Sequence, residues 1–150
     1  MSRAVTEVFA TPLRLSPRLV SELGAENSTM RAAVQGFESA VIVYLGGEID
    51  ACNDETWRLL LAEASSFAAA PQLFIVDVNS VDFMSCSSYE ALAEEAHRCR
   101  GRGVELCLVS LNPNVGRIVS ACGLGDALTV HATAPQSLQS VELTHQVQAC

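Results

Sequence analysis

From residue 30 onward, short apolar runs alternate with longer segments whose apolar residues recur every three or four positions. Short runs of this kind are typical of β-strands, and the longer segments are typical of amphipathic helices. The predicted strands are MRAAVQG, AVIVYLGGEI, LFIVDV, VELCLVSL and ALTVHA. Strands that alternate with helices form a largely parallel sheet through right-handed crossovers. The sequence therefore predicts an α/β domain over residues 30–150, a mixed, mostly parallel sheet with helices packed against it, in the order β-β-α-β-α-β-α-β-α.

The two ends of the chain carry weaker patterns. Residues 1–29 contain Pro12 and Pro17, which interrupt helices, and the linker-like stretch GAENST. We expect a partly ordered N-terminal extension there. At the other end, PQSLQSVELTHQVQAC predicts a final helix with a less regular apolar stripe.

Length, composition and charge exclude several classes of protein. The 150 residues suit one domain, and a hydrophobic content of 49% is enough to fill its core. A formal net charge of −8 disfavours binding to nucleic acid or to anionic membranes, both of which attract clustered Lys and Arg. The longest apolar run, AVIVYL, is far shorter than a membrane helix, and the N-terminus has no signal-peptide core. We therefore expect a cytoplasmic protein whose partners are other proteins.

The cysteines and histidines do not form a metal-binding or catalytic pattern. There are six cysteines, but no CxxC pair and no Cys/His cluster with zinc spacing, so we predict no metal and no cofactor. A thiol enzyme is disfavoured because His97 lies about three turns along the helix that follows Cys86. No motif surrounds His131 or His145. The sequence predicts a protein that is not an enzyme, with mostly reduced thiols of which one or two are reactive.

Two strand-to-helix joints carry the most unusual polar residues. They are GGEIDACN at 46–53 and FMSCSSYE at 83–90. In a parallel sheet the carboxyl ends of the strands share one edge, and loops at that edge usually carry function. Asp50 and Cys86 are therefore expected on the same edge. Asp50 or Asn53 is also a candidate cap for the helix that follows the first joint.

The second joint has several interpretations from its residues alone. Ser87 and Glu90 fit a capping box, in which each side chain accepts from the backbone amide of the other residue. Cys86 is a candidate reactive thiol, because a helix N-terminus lowers the pKa of a nearby thiol; the alternative is a small side chain packed beneath the helix. Hydroxyl groups at the same place suit phosphorylation, since the free helix amides stabilise a phosphate.

Three segments together resemble the STAS domain of bacterial anti-sigma factor antagonists. They are GGEID, LFIVDVNSVDFMSCSSYEAL and LCLVSLNPNVGRIVSACGL, and the resemblance spans Met30 to Leu138 with matching element order. It implies a STAS-like fold and a regulatory domain without catalysis. Such a domain binds an anti-sigma factor, usually a serine kinase of the histidine-kinase-like ATPase type, and so releases a sigma factor. Other STAS domains are subunits of transporters or stress-signalling complexes, which is the alternative function.

The resemblance also implies how such a protein is switched. The kinase phosphorylates the first hydroxyl of an Asp-Ser-Ser/Thr-Gly motif, and the phosphate breaks the complex. That motif falls on Ser85, Cys86, Ser87 and Ser88, so a cysteine stands at the acceptor position. A serine kinase does not phosphorylate cysteine. Control is therefore expected from a thiol switch at Cys86, from phosphorylation of Ser85 or Ser87, or not at all.

The expected partner-binding residues are Asp50, Phe83, Met84 and Ser88. The turn that contains Asp50 lies, in the family that the chain resembles, on the partner-binding edge near the acceptor. Phe83 and Met84 are apolar candidates for the few anchors that dominate an interface.

Two cysteines are candidate disulfide partners for Cys86. Cys52 follows Asp50 on the expected common edge, so a bridge is possible if the Cα atoms lie within about 7 Å. Cys122 occupies the last turn of the third predicted helix, on its apolar stripe, where packing in the core is the simpler role. Because successive helices over a parallel sheet point the same way, a Cys86–Cys122 bridge requires a tilted third helix.

Overall fold

A computed structural model describes residues 11–133 and is built on one six-stranded sheet. The strands are β1 (Thr11–Pro12), β2 (Met30–Gly36), β3 (Ala40–Ile49), β4 (Leu73–Met84), β5 (Glu105–Val109) and β6 (Val130–His131). The α-helices of this part of the chain are α1 (Pro17–Leu23), α2 (Asp54–Ser66), α3 (Cys86–Gly101) and α4 (Pro113–Ala121). A short 3-10 turn, Ala51–Asn53, precedes α2.

The strands lie side by side in chain order, from β1 to β6. The first two pairings are antiparallel, and the pairings β3–β4, β4–β5 and β5–β6 are parallel. The predicted mixed, mostly parallel sheet is confirmed, and so is the element order from β2 to β6. The helix predicted at the C-terminus lies outside the described residues.

The core lies on both faces of the sheet, which explains the continuous apolar runs of β3 and β4. On the face that carries the helices, Trp57, Leu60 and Leu61 of α2 and Leu92 of α3 pack against alternate strand residues. A second cluster on the opposite face contains Phe37, Ala40, Ile42, Ile75, Cys107 and Val109. Within residues 11–133, no helix is long and apolar enough to cross a membrane.

The extension before β2 contains a helix that the sequence analysis did not predict. Pro17 is the first residue of α1, where a missing N–H costs nothing, and Ser16 caps the helix by accepting from the Leu19 amide. Leu19 is fully buried in the main core. Thr56 of α2 donates to Glu22 at 2.7 Å, and this hydrogen bond is the main cause that lowers the pKa of the Glu22 carboxyl. Residues 16–23 therefore pack onto the domain, and Pro17 starts a helix instead of preventing one.

Strand β4 continues six residues beyond the predicted run LFIVDV and ends at Met84. It remains paired with β3 up to that residue, with two register shifts on β3, one between Tyr44 and Gly46 and one between Gly47 and Glu48. Gly47 has φ +86°, a conformation that glycine adopts readily and other residues rarely adopt. These irregularities bring Ile49 opposite Met84, so that the two joints begin side by side.

Candidate functional site at the ends of β3 and β4

The two joints are connected by hydrogen bonds to the carbonyl oxygen of Ile49. The backbone N–H of Ser85 and the hydroxyl of Ser88 both donate to this oxygen, each at 3.0 Å. Asp50 follows Ile49 directly, and Cys86 follows Ser85 directly. The structure therefore places the Asp50 turn beside the start of α3, as the shared edge of a parallel sheet requires.

Ser85 caps α3, and the predicted capping box between Ser87 and Glu90 is wrong. The Ser85 hydroxyl oxygen accepts from the Ser88 amide at 3.2 Å, while Cys86 is already the first helical residue. The helix starts earlier than predicted because β4 pairs with β3 up to Met84, which leaves only Ser85 between strand and helix. Ser87 lies within the first turn, at the second helical position, so it is not the residue that caps the helix.

The three serine hydroxyl groups form a chain with one consistent direction. Ser88 Oγ donates to the Ile49 carbonyl, so the proton in its 2.8 Å contact with Ser85 comes from Ser85. Ser87 Oγ then donates to Ser85 Oγ at 3.1 Å. Ser85 uses its proton and accepts from both the Ser88 amide and Ser87, so its oxygen is fully engaged.

Ser88 does not face a partner, contrary to the expectation from the sequence. Its side chain is fully buried, because its hydroxyl supports the joint from beneath through the bond to Ile49. Met84 is also largely buried, with 8% of its surface exposed, and it belongs to the main core while lining a cleft at this edge. Phe83, by contrast, has 54% of its surface exposed.

Cys86 forms a disulfide with Cys122, and the two Cα atoms are 6.4 Å apart. Cys86 is exposed and Cys122 is half-buried, so the bridge lies at the surface. α4 has nine residues and is roughly 14 Å long. Because Cys122 follows its last residue, the C-terminal end of α4 lies beside the start of α3. The bridge thus joins two helix ends that an untilted third helix would place at opposite edges of the sheet.

The remaining described cysteines are not bridged. Cys52 is free and exposed in the 3-10 turn, so the alternative pairing with Cys86 is absent. Burial raises the pKa of the Cys99 thiol, and it raises the pKa of Cys107 to about 11. Thiols with raised pKa values carry little thiolate at neutral pH and are poor nucleophiles. Among the described cysteines, only Cys52, Cys86 and Cys122 lie at or near the surface.

Asp50 is half-buried and caps the 3-10 turn. Its Oδ1 accepts from the Cys52 amide at 2.9 Å, and the Asn53 carboxamide oxygen accepts from the Asp50 amide at 2.9 Å. Asn53 also donates to the carbonyl oxygen of Glu48 at 2.8 Å. The cap that the sequence predicted for α2 is not formed, since Asn53 makes no side-chain cap to that helix; Asp50 caps the 3-10 turn before it. The contacts hold the Asp50 carboxylate in a defined orientation at the edge.

One residue that positions the site, Trp57, lies on the apolar stripe of α2, and such a stripe by itself indicates only a place in the core. The Trp57 indole N–H, on α2, donates to the carbonyl oxygen of Ser88 at 3.0 Å. This bond fixes the first turn of α3 against α2. A signal existed, because a buried Trp needs a partner for its N–H, but the sequence does not say where that partner lies.

A mixed sheet with this topology, with a joint between a parallel strand and a helix at its carboxyl edge, is the architecture of STAS domains. The sequence model of the STAS domain family matches residues 31–136. The chain belongs to this family.

Its relatives include named regulators of sigma factors. It is 46% identical over 138 residues to "Putative anti-anti-sigma factor Rv2638" of Mycobacterium tuberculosis, covering 92% of this chain and 93% of the relative. It is 44% identical over 114 residues to the anti-sigma-F factor antagonist RsfA of the same species, covering 76% and 89%.

Solved structures show the same fold at low sequence identity. An anti-sigma factor antagonist from Mycobacterium paratuberculosis aligns with a TM-score of 0.63 and 19% identity, over 79% of this chain and 97% of that one. The anti-sigma factor antagonist SpoIIAA in its unphosphorylated form aligns with a TM-score of 0.55 and 18% identity, over 80% and 98%.

Proposed function

We propose that this protein is a non-catalytic, cytoplasmic anti-sigma factor antagonist that binds a kinase-type anti-sigma factor and so frees a sigma factor. The partner contacts the edge that carries Asp50, Phe83 and the start of α3. The observation that carries the proposal is the surface disulfide between Cys86 and Cys122, at the joint where the family places its phosphoacceptor. The names of the relatives support the general role.

The control that fits this joint is oxidation of the two thiols. A peroxide would oxidise one thiolate to a sulfenic acid and release water or hydroxide. The second thiol would then displace the sulfenic oxygen as water, forming the Sγ–Sγ bond. A dithiol reductant reverses the step by exchange and becomes a disulfide itself. Because modification of the acceptor position breaks the complex in the family, the reduced protein is the binding form.

Phosphorylation of a neighbouring serine is the second candidate for control, and the hydrogen bonds distinguish the two serines. The Ser85 oxygen already makes all of its hydrogen bonds in capping α3, so a phosphate on Ser85 would remove the cap of that helix. Ser87 only donates to Ser85, and it is half-buried. Ser87 is therefore the better acceptor of the two.

The function is tested by partner capture from extract of the source cell, with and without a dithiol reductant. We expect mass spectrometry to identify a kinase-type anti-sigma factor, enriched in the reduced sample. Recovery of transporter or stress-complex subunits in its place would favour the alternative function. A solved sulfate transporter family protein and the solved structure of SLC26A9 share only the fold with this chain, at 16 to 18% identity, and carry no argument for that role.

Reduction is expected to raise the affinity for the purified anti-sigma factor by about tenfold or more, within the usual range of allosteric coupling. Titration calorimetry with oxidised and reduced protein measures the change. Cys122→Ser should bind like the reduced protein under both conditions. Cys52→Ser is the matched control and should keep the full response to oxidant. Equal responses of the wild type and Cys122→Ser would contradict the thiol switch.

Cys86→Asp is expected to weaken binding by about tenfold relative to Cys86→Ser, because a fixed negative charge at the contact loses its hydration without a matched cation opposite it, as a phosphate would. Neither variant can form the bridge, so their comparison isolates the charge. An aspartate in the first turn of a helix is favourable for the helix itself, which keeps the fold intact. Identical affinities in a titration would show that the joint is not in contact with the partner.

A further inference from the structure

Exposed apolar side chains are concentrated beside the disulfide. Within residues 11–133, five large hydrophobic residues are exposed, namely Val20, Phe67, Phe83, Leu111 and Ile118. Phe83 and Ile118 line one cleft, and Leu111 lies between Ser110 and Asn112, which also line it. Exposed apolar groups that gather around a concave site mark an interaction surface more often than scattered ones do.

The cleft lies between the end of β4 and α4, with a volume of about 190 Å³. Val115 and Ile118 of α4 form one wall, and Phe83 and Met84 of β4 form the other. An engineered protein cavity of about 150 Å³ holds one benzene molecule, whereas sites for drug-sized ligands measure about 300–1,000 Å³. The cleft therefore fits one leucine- or phenylalanine-sized side chain and is too small for a nucleotide.

The charge around the cleft indicates what should flank that side chain. Asp82 is exposed and lines the cleft. Asp50 and the exposed Glu48 lie on the neighbouring strand end of the same edge. The nearby cation on α4, Arg117, donates to Asn114 at 3.1 Å. With a formal net charge of −8 for the whole chain, the complementary partner is basic.

The disulfide joins the two sides of this cleft. Cys122 follows α4, which provides one wall, and Cys86 follows Met84 of the other wall by two residues. With the bridge closed, the C-terminal end of α4 is held at the start of α3. α4 is also attached to the domain through its buried residues Val115 and Val119.

We propose that this cleft receives one large apolar side chain of the anti-sigma factor, flanked by a Lys or Arg that faces Asp82. The proposal rests on the function proposed above, because it takes the anti-sigma factor as the partner. The proposed function placed the partner at the edge that carries Asp50 and Phe83. The present proposal extends that contact surface to α4 and makes the cleft the place where the partner is anchored.

The test is a titration of reduced protein with the purified anti-sigma factor identified by capture. Ile118→Asp should weaken binding by about 30-fold or more, the loss typical of an interface anchor. Phe67→Asp and Val20→Asp place the same charge on other exposed apolar positions and should bind within about twofold of the wild type. Thermal unfolding of each variant checks that it is folded; Ile118 is 40% exposed, so the substitution leaves no buried charge.

The charge is tested separately by Asp82→Lys, with Glu105→Lys at the start of β5, the opposite edge, as the control. Asp82→Lys should weaken binding several-fold, and more strongly at low ionic strength. Failure of wild-type protein to bind any anti-sigma factor would overturn the proposed function. Normal binding of Ile118→Asp to the anti-sigma factor would overturn the cleft proposal and leave that function standing.

Discussion

Gly47→Ala is expected to lower the free energy of unfolding by about 3 kcal/mol or more, since strained φ values cost about 1–3 kcal/mol even without a clash. Gly47 has φ +86°, and a Cβ there would overlap the carbonyl oxygen of Thr29. That oxygen also accepts from the Glu48 amide at 2.8 Å, so it cannot move away without losing a bond. The substitution therefore disrupts the irregular end of β3 that carries Asp50 to the start of α3.

Urea unfolding followed by circular dichroism measures this effect. Gly116→Ala is the matched control, because Gly116 lies within α4 and a Cβ there meets nothing within 4 Å. Alanine at such a position should stabilise the protein by about 0.5–1 kcal/mol. If Gly47→Ala were as stable as the wild type, the backbone at the Asp50 joint would not be constrained as described.

Trp57→Ala is expected to destabilise the protein by about 3–5 kcal/mol, the usual cost of removing a large buried aromatic side chain. Trp57 is fully buried, and its N–H donates to the Ser88 carbonyl oxygen. The substitution leaves a cavity between α2 and the sheet and frees the first turn of α3. Binding of the reduced protein to its partner should weaken as well, because this turn carries Cys86.

Trp57→Phe separates the two contributions of the indole. It keeps most of the apolar volume and removes only the hydrogen bond to Ser88, so it should cost about 1–2 kcal/mol. Phe67→Ala, at a side chain that is 37% exposed, should cost clearly less than Trp57→Ala. Since the sequence contains one Trp, unfolding is followed by far-UV circular dichroism in all variants. Equal losses for Trp57→Ala and Phe67→Ala would contradict the buried position of Trp57.

The pattern of apolar residues predicted most of the architecture correctly. AVIVYLGGEI became β3 over its whole length, and Trp57, Leu60, Leu61 and Ala64, which recur at helical spacing in the sequence, form the buried side of α2. Such elements are predictable because burial on one or both sides imposes a period that short segments already display. α1 was missed because its single buried residue, Leu19, gives no period, and because Pro17 marks both a helix start and a helix break.

Capping was predicted less well than periodicity. Ser85 and Ser87 both carry a hydroxyl, and either fits the start of a helix by residue type. The choice depended on how far β4 pairs with β3, which is a contact between residues 35 positions apart for Ile49 and Met84. Residue type therefore predicted the start of the helix to within two positions. The extent of the pairing between β3 and β4 then determined that Ser85 is the capping residue.

The order of strands and helices, the edge shared by Asp50 and Cys86, and the thiol at the acceptor position were determined by the sequence, because periodicity and residue identity are local properties. The pairing of Cys86 with Cys122, the burial of Ser88 and the cleft beside Phe83 were decided by the tertiary structure. All three depend on how α3 and α4 pack against the sheet. This packing joins segments far apart in the chain, such as the two cysteines with a separation of 36 residues.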